Sequence, residues 1–281
     1  MLNIRGMTIS DIAAGMHLKD QAGWNQQEAD WRRLLDLQPD GCFVAESGGV
    51  PVGTVTTCRF GAVAWIAMML VDGAYQGRGI GRALMTRALE ELDSRGVRSV
   101  RLDATPRGRP LYESLGFVAE ATFDRFRGVL PLAEGVSTPE LPEVRPAEVL
   151  DGVIALDREV TGTDRGRLLR RLADEHPGSL RVVEAGGGVA GFLMARPGST
   201  AWQVGPCIAG DRAGPLLLAD ARSRYAGQAV LLDVPAANAP AAALVGSWGL
   251  RAERQMVRLG RGVRVGEDPG RIWAGSGPEK G

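Results

Sequence analysis

Apolar runs over residues 42–46, 51–59 and 62–71 predict three consecutive strands, with Ser47-Gly48-Gly49 as the glycine turn of the first hairpin. From about Gly79 to Ser94 the spacing changes. Ile80, Leu84, Ala88 and Leu92 recur at helical intervals, so a helix follows the third strand. Around this block the pattern predicts a short strand at 2–5, helices at 9–20 and 27–36, a strand at 98–103, a helix at 108–115 and a strand at 117–122. The second half gives strands at 181–185, 189–195 and 201–208, a helix at 212–223, a strand at 229–233, a helix at 238–247 and a strand at 250–258.

The two halves use one order of elements twice. Val44-Ala-Glu-Ser-Gly-Gly-Val-Pro-Val-Gly-Thr-Val55 corresponds to Val183-Glu-Ala-Gly-Gly-Gly-Val-Ala-Gly-Phe-Leu-Met194. Ala64-Trp65 matches Ala201-Trp202, and Leu102-Asp103 matches Leu232-Asp233. Each half ends on a glycine and an apolar residue, Gly116-Phe117 and Gly249-Leu250. Between them, Pro131, Gly135, Ser137, Pro139, Pro142 and Pro146 predict a linker, since proline removes amide donors and fixes φ. The boundary falls near 135–142, giving domains at 1–135 and 142–281.

Composition narrows the function classes. The 281 residues, 44% hydrophobic, suffice for two ordinary domains. Charges balance at 33 against 33, so there is no global field to attract nucleic acid or an anionic membrane, and neither is expected as a partner. Lys19 and Lys280 are the only lysines, so a phosphate grip must use guanidinium groups or backbone amides. His17 and His176 are the only histidines, which speaks against a Ser-His-Asp enzyme or a histidine-rich metal site. Cys42, Cys58 and Cys207 have neither zinc nor disulfide spacing and fit a reducing compartment. With no signal-peptide core and no apolar run near the ~20 residues that span a bilayer, a cytoplasmic protein is expected.

The segment that carries chemistry is Val71-Asp-Gly-Ala-Tyr-Gln-Gly-Arg-Gly-Ile-Gly-Arg-Ala-Leu84. Gly77, Gly79 and Gly81 leave no side chain between backbone and ligand. Their amides and the helix start can converge on an anion such as a pyrophosphate, flanked by Arg78 and Arg82. A dinucleotide fingerprint would need Gly-x-Gly-x-x-Gly after the first strand of a parallel unit, and Walker-A spacing is absent.

Gln76-Gly-Arg-Gly-Ile-Gly81 after a strand ending in Val71-Asp72 resembles motif A of the GNAT (Gcn5-related N-acetyltransferase) superfamily. Leu111-Tyr-Glu-Ser-Leu-Gly-Phe117 resembles its motif B. The resemblance covers residues 1–130 well. The second half resembles the same fold without the signature, since Cys207-Ile-Ala-Gly-Asp-Arg-Ala-Gly-Pro-Leu216 lacks the loop and Val245 falls where Tyr112 would be. The whole chain is similar to tandem-GNAT proteins, an α/β (α+β) arrangement of two domains. Each would be a mixed, mostly antiparallel sheet flanked by helices, the first active and the second degenerate.

The resemblance implies an acetyltransferase that uses acetyl-CoA as cosubstrate, no metal, and a small-molecule amine as acceptor. A protein amine as acceptor, or a non-catalytic acyl-CoA sensor, are the alternatives, and the chain would act as a monomer or homodimer. Pantetheine would lie along Met69, Leu70 and Val71. The pyrophosphate would lie on the amides of Gln76, Gly77, Arg78, Gly79, Ile80, Gly81 and Arg82. An amide near Met69 or Leu70 would stabilise the oxyanion, and Tyr112 would protonate the leaving thiolate. The carboxylate that some members carry around Ala64–Met68 is missing. Glu28 and Asp30 are candidate substitutes, each also readable as part of a solvated helix face. Asp103, repeated as Asp233, reads as structural, for example a turn cap. Arg107 and Arg109 are candidates for CoA's phosphates, Trp24 for an acceptor pocket, and Trp65 and Trp202 for core packing.

Overall fold

The computed structural model describes residues 2–132, 144–146 and 150–279. The linker boundary at 135–142 lies outside the described residues. Two compact units form. The first comprises Met1–Ala119, Leu259–Arg264 and Pro278–Gly281, and the second Glu120–Arg258 and Val265–Gly277.

The first unit opens with β1 (Leu2–Gly6), α1 (Ile12–Gln21), α2 (Glu28–Leu37), β2 (Cys42–Ser47), β3 (Val50–Phe60) and β4 (Val63–Val71). It continues with α3 (Ile80–Ser94), β5 (Ser99–Ala104) and α4 (Arg109–Glu113). Local chemistry accounts for the helix starts. Asp30 returns its carboxylate to the Gln27 amide at 2.9 Å, capping α2. Buried Trp31, Leu34 and Leu35 then form one face of that helix, and Trp31 packs closely on Gly15 of α1. The face of α3 buries Ile80, Leu84, Met85, Ala88, Leu89 and Leu92, the stripe its spacing predicts.

The sheet of this unit runs β1-β2-β3-β4-β5. Its pairs are antiparallel except β4–β5, which is parallel. The end of β12 (Arg251–Gly262) also belongs here, with Val263 N–H donating to Arg98 O at 2.8 Å. Gly262 makes the approach possible. Its φ is +92°, and a Cβ there would sit 2.2 Å from Arg98 O.

The second unit contains most of β6 (Val118–Val129), then β7 (Val144–Pro146), α5 (Asp151–Thr161), α6 (Gly166–Glu175), β8 (Arg181–Ala185) and β9 (Gly188–Arg196). After these come β10 (Trp202–Ala209), α7 (Ala213–Arg224), β11 (Ala229–Pro235), α8 (Ala239–Ser247) and β13 (Ile272–Ala274). Its sheet runs β6-β11-β10-β9-β8-β7, with β10–β11 parallel. Helices α5 and α6 complete the repeat by standing where α1 and α2 stand in the first order of elements. They were not among the expected elements, and neither were β7 and β13.

Packing therefore cuts the chain elsewhere than sequence repetition does. Residues Phe123–Val129 of β6 pair antiparallel with β11 over Ala229–Pro235. The expected strand at 117–122 is thus the start of a longer one. Both units have the expected class, a mixed and mostly antiparallel sheet flanked by helices. No described helix is long and apolar enough to cross a membrane.

The β6–β11 pair carries a buried ion pair. Arg125 Nε and Nη2 donate to the two oxygens of Asp233 at 2.7 and 2.8 Å, and Gln203 donates to the same carboxylate at 3.3 Å. Replacing Asp233 by Ala leaves the Arg125 guanidinium, its side chain 6% exposed, without that carboxylate. The expected loss is about 3–5 kcal/mol of unfolding free energy, read from urea denaturation. A loss below about 1 kcal/mol would put the pair on a par with a surface bridge.

Candidate active site

The site is organised by what β4 does after Trp65. Its ladder with β5 covers only Val63, Ala64 and Trp65 against Ser99, Val100 and Arg101. Its ladder with β3 continues to Val71. Between Thr54↔Leu70 and Thr56↔Ala67 the register shifts, so β4 carries an extra residue. Met68 adopts φ +48°, the only non-glycine left-handed residue among the described ones, and Thr54 Oγ1 donates to its carbonyl at 2.8 Å.

Beyond this bulge the strand edge that faced β5 is open. The amide of Asp72 donates to Val52 O at 2.9 Å, and Leu70 O lies 2.9 Å from where a Gly53 Cβ would be. Leu70 and Asp72 thus turn their backbone groups to β3. Met69 and Val71 alternate with them and turn theirs to the opening. The Val71 carbonyl is taken up by the Gln76 side chain at 2.8 Å. Of the three strand residues singled out in the sequence, Met69 and Val71 lie with backbone toward the opening and Leu70 does not.

The loop that follows is held from its start. Asp72 accepts from Ala74 N–H at 2.8 Å and from Gln21 Nε2 at 3.0 Å. These bonds hold its carboxyl below the usual range. Gly77 and Gly79 have φ +77° and +79°, and nothing lies within 4 Å of a Cβ built on either. Gly79 directly precedes α3, whose first i→i−4 bond is Ala83 N–H to Gly79 O at 3.0 Å. The amides of Ile80, Gly81 and Arg82 therefore precede the helical ladder and stand at its positive end. The loop is exposed, with Ile80 as its buried anchor. An approachable backbone at a helix start fits the pyrophosphate of a CoA ester.

The arginines divide. Arg78 donates to Ala74 O at 3.0 Å and lies over the Tyr75 ring, while Arg82 donates to Ser114 Oγ at 2.9 Å. Arg107 reaches the loop by donating to Gln76 Oε1. Arg109 stays on its own helix, paired with Glu113 at 2.6 Å.

Gly81 draws the motifs together. A Cβ there would meet Leu111 Cδ2 and Met69 Cε, both at 3.4 Å. The open strand, the start of α3 and the motif-B helix α4 thus converge. On α4, Tyr112 is 8% exposed, with its ring edge-on to Phe117 at 6.3 Å and close against Gly108. Its hydroxyl has no hydrogen-bond partner among the described residues, and burial pushes its pKa up to about 12. It is a protonated hydroxyl at neutral pH, available as a donor.

The remaining candidates fall into place structurally. Glu28 is exposed and paired with Arg32 at 2.5 Å. Asp30 is buried, paired with Arg33 at 2.7 Å, and caps α2. Both carboxylates are therefore engaged in stabilising α2. Asp103 is half-buried, whereas Asp233 binds Arg125 and Gln203 rather than capping a turn. Trp65 is buried under Arg101, and Trp202 packs on Tyr225 with ring centroids 4.7 Å apart, as expected of core residues. Trp24 is half-buried. Among the described residues no group of three or more His, Cys, Asp or Glu is placed to hold a metal ion.

The second unit repeats the opening and fills it. The β10–β11 ladder covers only Trp202 and Gln203. Beyond it β13 pairs antiparallel with β10, Cys207 opposite Ala274 and Ile208 opposite Ile272. Gly275 N–H donates across to Asp233 O on β11 at 2.7 Å. Gly205, φ +138°, admits the Gly275 carbonyl, which lies 2.1 Å from a built Cβ. Trp273 donates to Ala209 O at 3.2 Å and packs directly on Gly214, the second residue of α7 as Gly81 is of α3. A three-residue strand is too short to announce itself by periodicity, so this occupant was not legible in the sequence.

Fold and site together define a tandem α/β protein with one open strand edge and one filled by its own chain. A model of the Acetyltransferase (GNAT) family matches residues 13–117, and an Acetyltransferase (GNAT) domain model matches residues 153–274. The two matches together span most of the chain, which belongs to the GNAT family and carries that domain in tandem. It is 27% identical over 194 residues to the holothin acyltransferase of a Pseudoalteromonas species, a match spanning 68% of this chain and 63% of that protein. A solved acetyltransferase structure from Pyrococcus horikoshii superposes with TM-score 0.85 at 25% identity, covering 100% of this chain and 96% of that one. A tandem GNAT protein from the clavulanic acid biosynthesis pathway shares the fold, with TM-score 0.66, 19% identity and coverage of 93% and 98%. Two further relatives, matching 40% and 44% of this chain, are a glucosamine 6-phosphate N-acetyltransferase of Trypanosoma brucei brucei and a ribosomal protein bS18-alanine N-acetyltransferase of Escherichia coli.

Trp273 is 2% exposed. Trp273→Ala should lower the stability of the second unit by about 3–5 kcal/mol, measured by chemical denaturation. A change below about 1 kcal/mol would mean that β13 is not integral to that unit.

Proposed function

We propose that the first copy, within residues 1–135, moves an acetyl group from acetyl-CoA to a primary amine of a small molecule by direct attack. The observation that carries this reading is the open edge of β4 at Met69 and Val71, which shares Gly81 as a neighbour with the motif-B helix. In the proposed reaction the neutral amine adds to the thioester carbonyl, the C–S bond breaks, and an N–H proton is shed. The amide of Met69 stabilises the oxyanion, because it is fixed by the bulge before the reaction begins. Tyr112 gives its proton to the departing sulfur and recovers one from the proton the amine sheds. Gln76 to Arg82 hold the pyrophosphate through backbone amides, with Arg78, Arg82 and Arg107 at its rim.

Two further features support the reading. The second copy lacks the glycine loop, and β13 lies along the strand edge that pantetheine would need, so one acyl-CoA per chain is expected. The free, buried cysteines suit a reducing cytoplasm, where the protein would act. The holothin acyltransferase, by its name, acts on a small molecule, which favours that class of acceptor over a protein.

A thiol-release assay with acetyl-CoA and a panel of primary amines tests the reaction. Absence of thiol release with every amine, alongside acetyl-CoA binding, would favour a sensor instead. Tyr112→Phe should lower kcat by about 100-fold or more while the KM for acetyl-CoA stays within about twofold. An unchanged kcat would remove Tyr112 from the mechanism.

A further inference from the structure

We propose that the side chain of Gln76 is a latch on the acyl-CoA site, occupying a backbone acceptor that pantetheine takes and leaving it when that ligand seats. This rests on the acyl-transfer reading above and adds to it a residue that sets the affinity for acyl-CoA.

The acceptor is the carbonyl of Val71, the last residue of β4, whose register partner on β3 is Gly53. The next residue, Asp72, donates its amide to Val52 O at 2.9 Å, so the backbone N–H and C=O of Val71 point away from β3 and into the opening. The ladder with β5 has already stopped at Trp65. The carbonyl nevertheless has a partner, because Gln76 Nε2 donates to it at 2.8 Å. The other end of the same amide is engaged too, since Arg107 Nη2 donates to Gln76 Oε1. Both side chains are exposed.

Other groups hold the start of the loop. Asp72 accepts from Ala74 N–H at 2.8 Å, and Gln21 Oε1 accepts from Gly73 N–H at 3.3 Å. Ile80 anchors its far end in the core. The bond from Gln76 to Val71 can therefore open without the loop losing these supports.

The exchange follows from the groups. A strand-like ligand added at an edge uses the N–H and C=O of one residue together, because both point the same way. Pantetheine is an extended chain with two amides, each offering an N–H and a C=O. To pair with Val71 it must give an N–H to the carbonyl on which the Gln76 amide sits. The two donors are the same chemical group, so one amide replaces another. Gln76 then turns to water, which its exposure allows. Arg107 loses its tie to Gln76 Oε1 and can face the phosphates at the rim of the loop.

The magnitude distinguishes a latch from a block. An exposed neutral hydrogen bond contributes little net free energy, worth roughly three- to tenfold in affinity. Gln76 therefore tunes binding and does not prevent it. In the second copy the same opening is filled by β13, which carries the buried Trp273 and is not exchangeable in this way.

The test measures two ligands by isothermal titration calorimetry on the wild type, Gln76→Ala and Gln76→Met, the last keeping the length of the side chain without its N–H. One ligand is acetyl-CoA. The other is adenosine 3′-phosphate 5′-diphosphate, the nucleotide of CoA without pantetheine. Both variants should bind acetyl-CoA about three- to tenfold more tightly than the wild type, with the Kd of the nucleotide within about twofold. A side chain that braces the loop predicts the reverse, since its loss would weaken both ligands together. Acetyl-CoA binding that is unchanged or weakened in both variants overturns the latch while leaving the acyl-CoA site standing. If acetyl-CoA binds to none of the three proteins, the acyl-CoA reading itself falls, and the latch with it.

Discussion

The structure depends on one constraint in the backbone of β4. A residue is inserted at Met68, the strand turns, and its ladder with β5 stops at Trp65. Parallel strands keep their spacing only while their hydrogen bonds run in register. Once the bulge removes that register, the edge carrying Met69 and Val71 is exposed inside a sheet that is otherwise paired. Backbone donors and acceptors left this way are unfavourable unless something meets them. Such an edge is a site in want of an extended partner.

The two copies answer that want differently. In the second, the chain supplies the partner itself, since β13 pairs with β10 and reaches β11 through Gly275. In the first, Gln76 covers the Val71 carbonyl and the edge stays accessible next to a glycine-headed helix. The contrast extends to buried polar groups. The second unit pairs its buried charges closely, as in Arg125–Asp233 and Arg165–Asp157. Such pairs add little net stability but make their own disruption costly, which favours one arrangement of the elements. The first unit pairs its buried Asp30 with Arg33 in the same way, but several of its buried hydroxyl and amide atoms have no partner among the described residues.

Tyr112 shows how the fold tunes a side chain without a charged neighbour. Its raised pKa arises from burial alone, through the packing of Gly108 and Phe117 around the ring. The hydroxyl is thereby kept protonated, and it has no hydrogen-bond partner among the described residues. Gly81 has a comparable indirect part. By lacking a side chain it lets Met69 and Leu111 close on the start of α3.

Much of this was written in the chain itself. The helical stripe of α3, the glycines at 77, 79 and 81, the motif around Tyr112 and the doubling of the fold are all local patterns. They depend on spacing and on the conformational freedom of glycine, and so could be read residue by residue. Other features needed the folded molecule. The left-handed Met68 breaks no sequence rule, because its conformation is imposed by the register with β3. The exchange of strand segments, β6 into the second unit and the end of β12 into the first, reflects long-range pairing that repetition along the chain cannot reveal. The role of β13 is of the same kind. A three-residue strand carries no pattern, and its partner strand lies more than sixty residues away. Sequence alone determined which loop can face a phosphate, whereas tertiary structure alone decided which strand edge is open, because hydrogen-bond pairing between distant segments is settled only on folding.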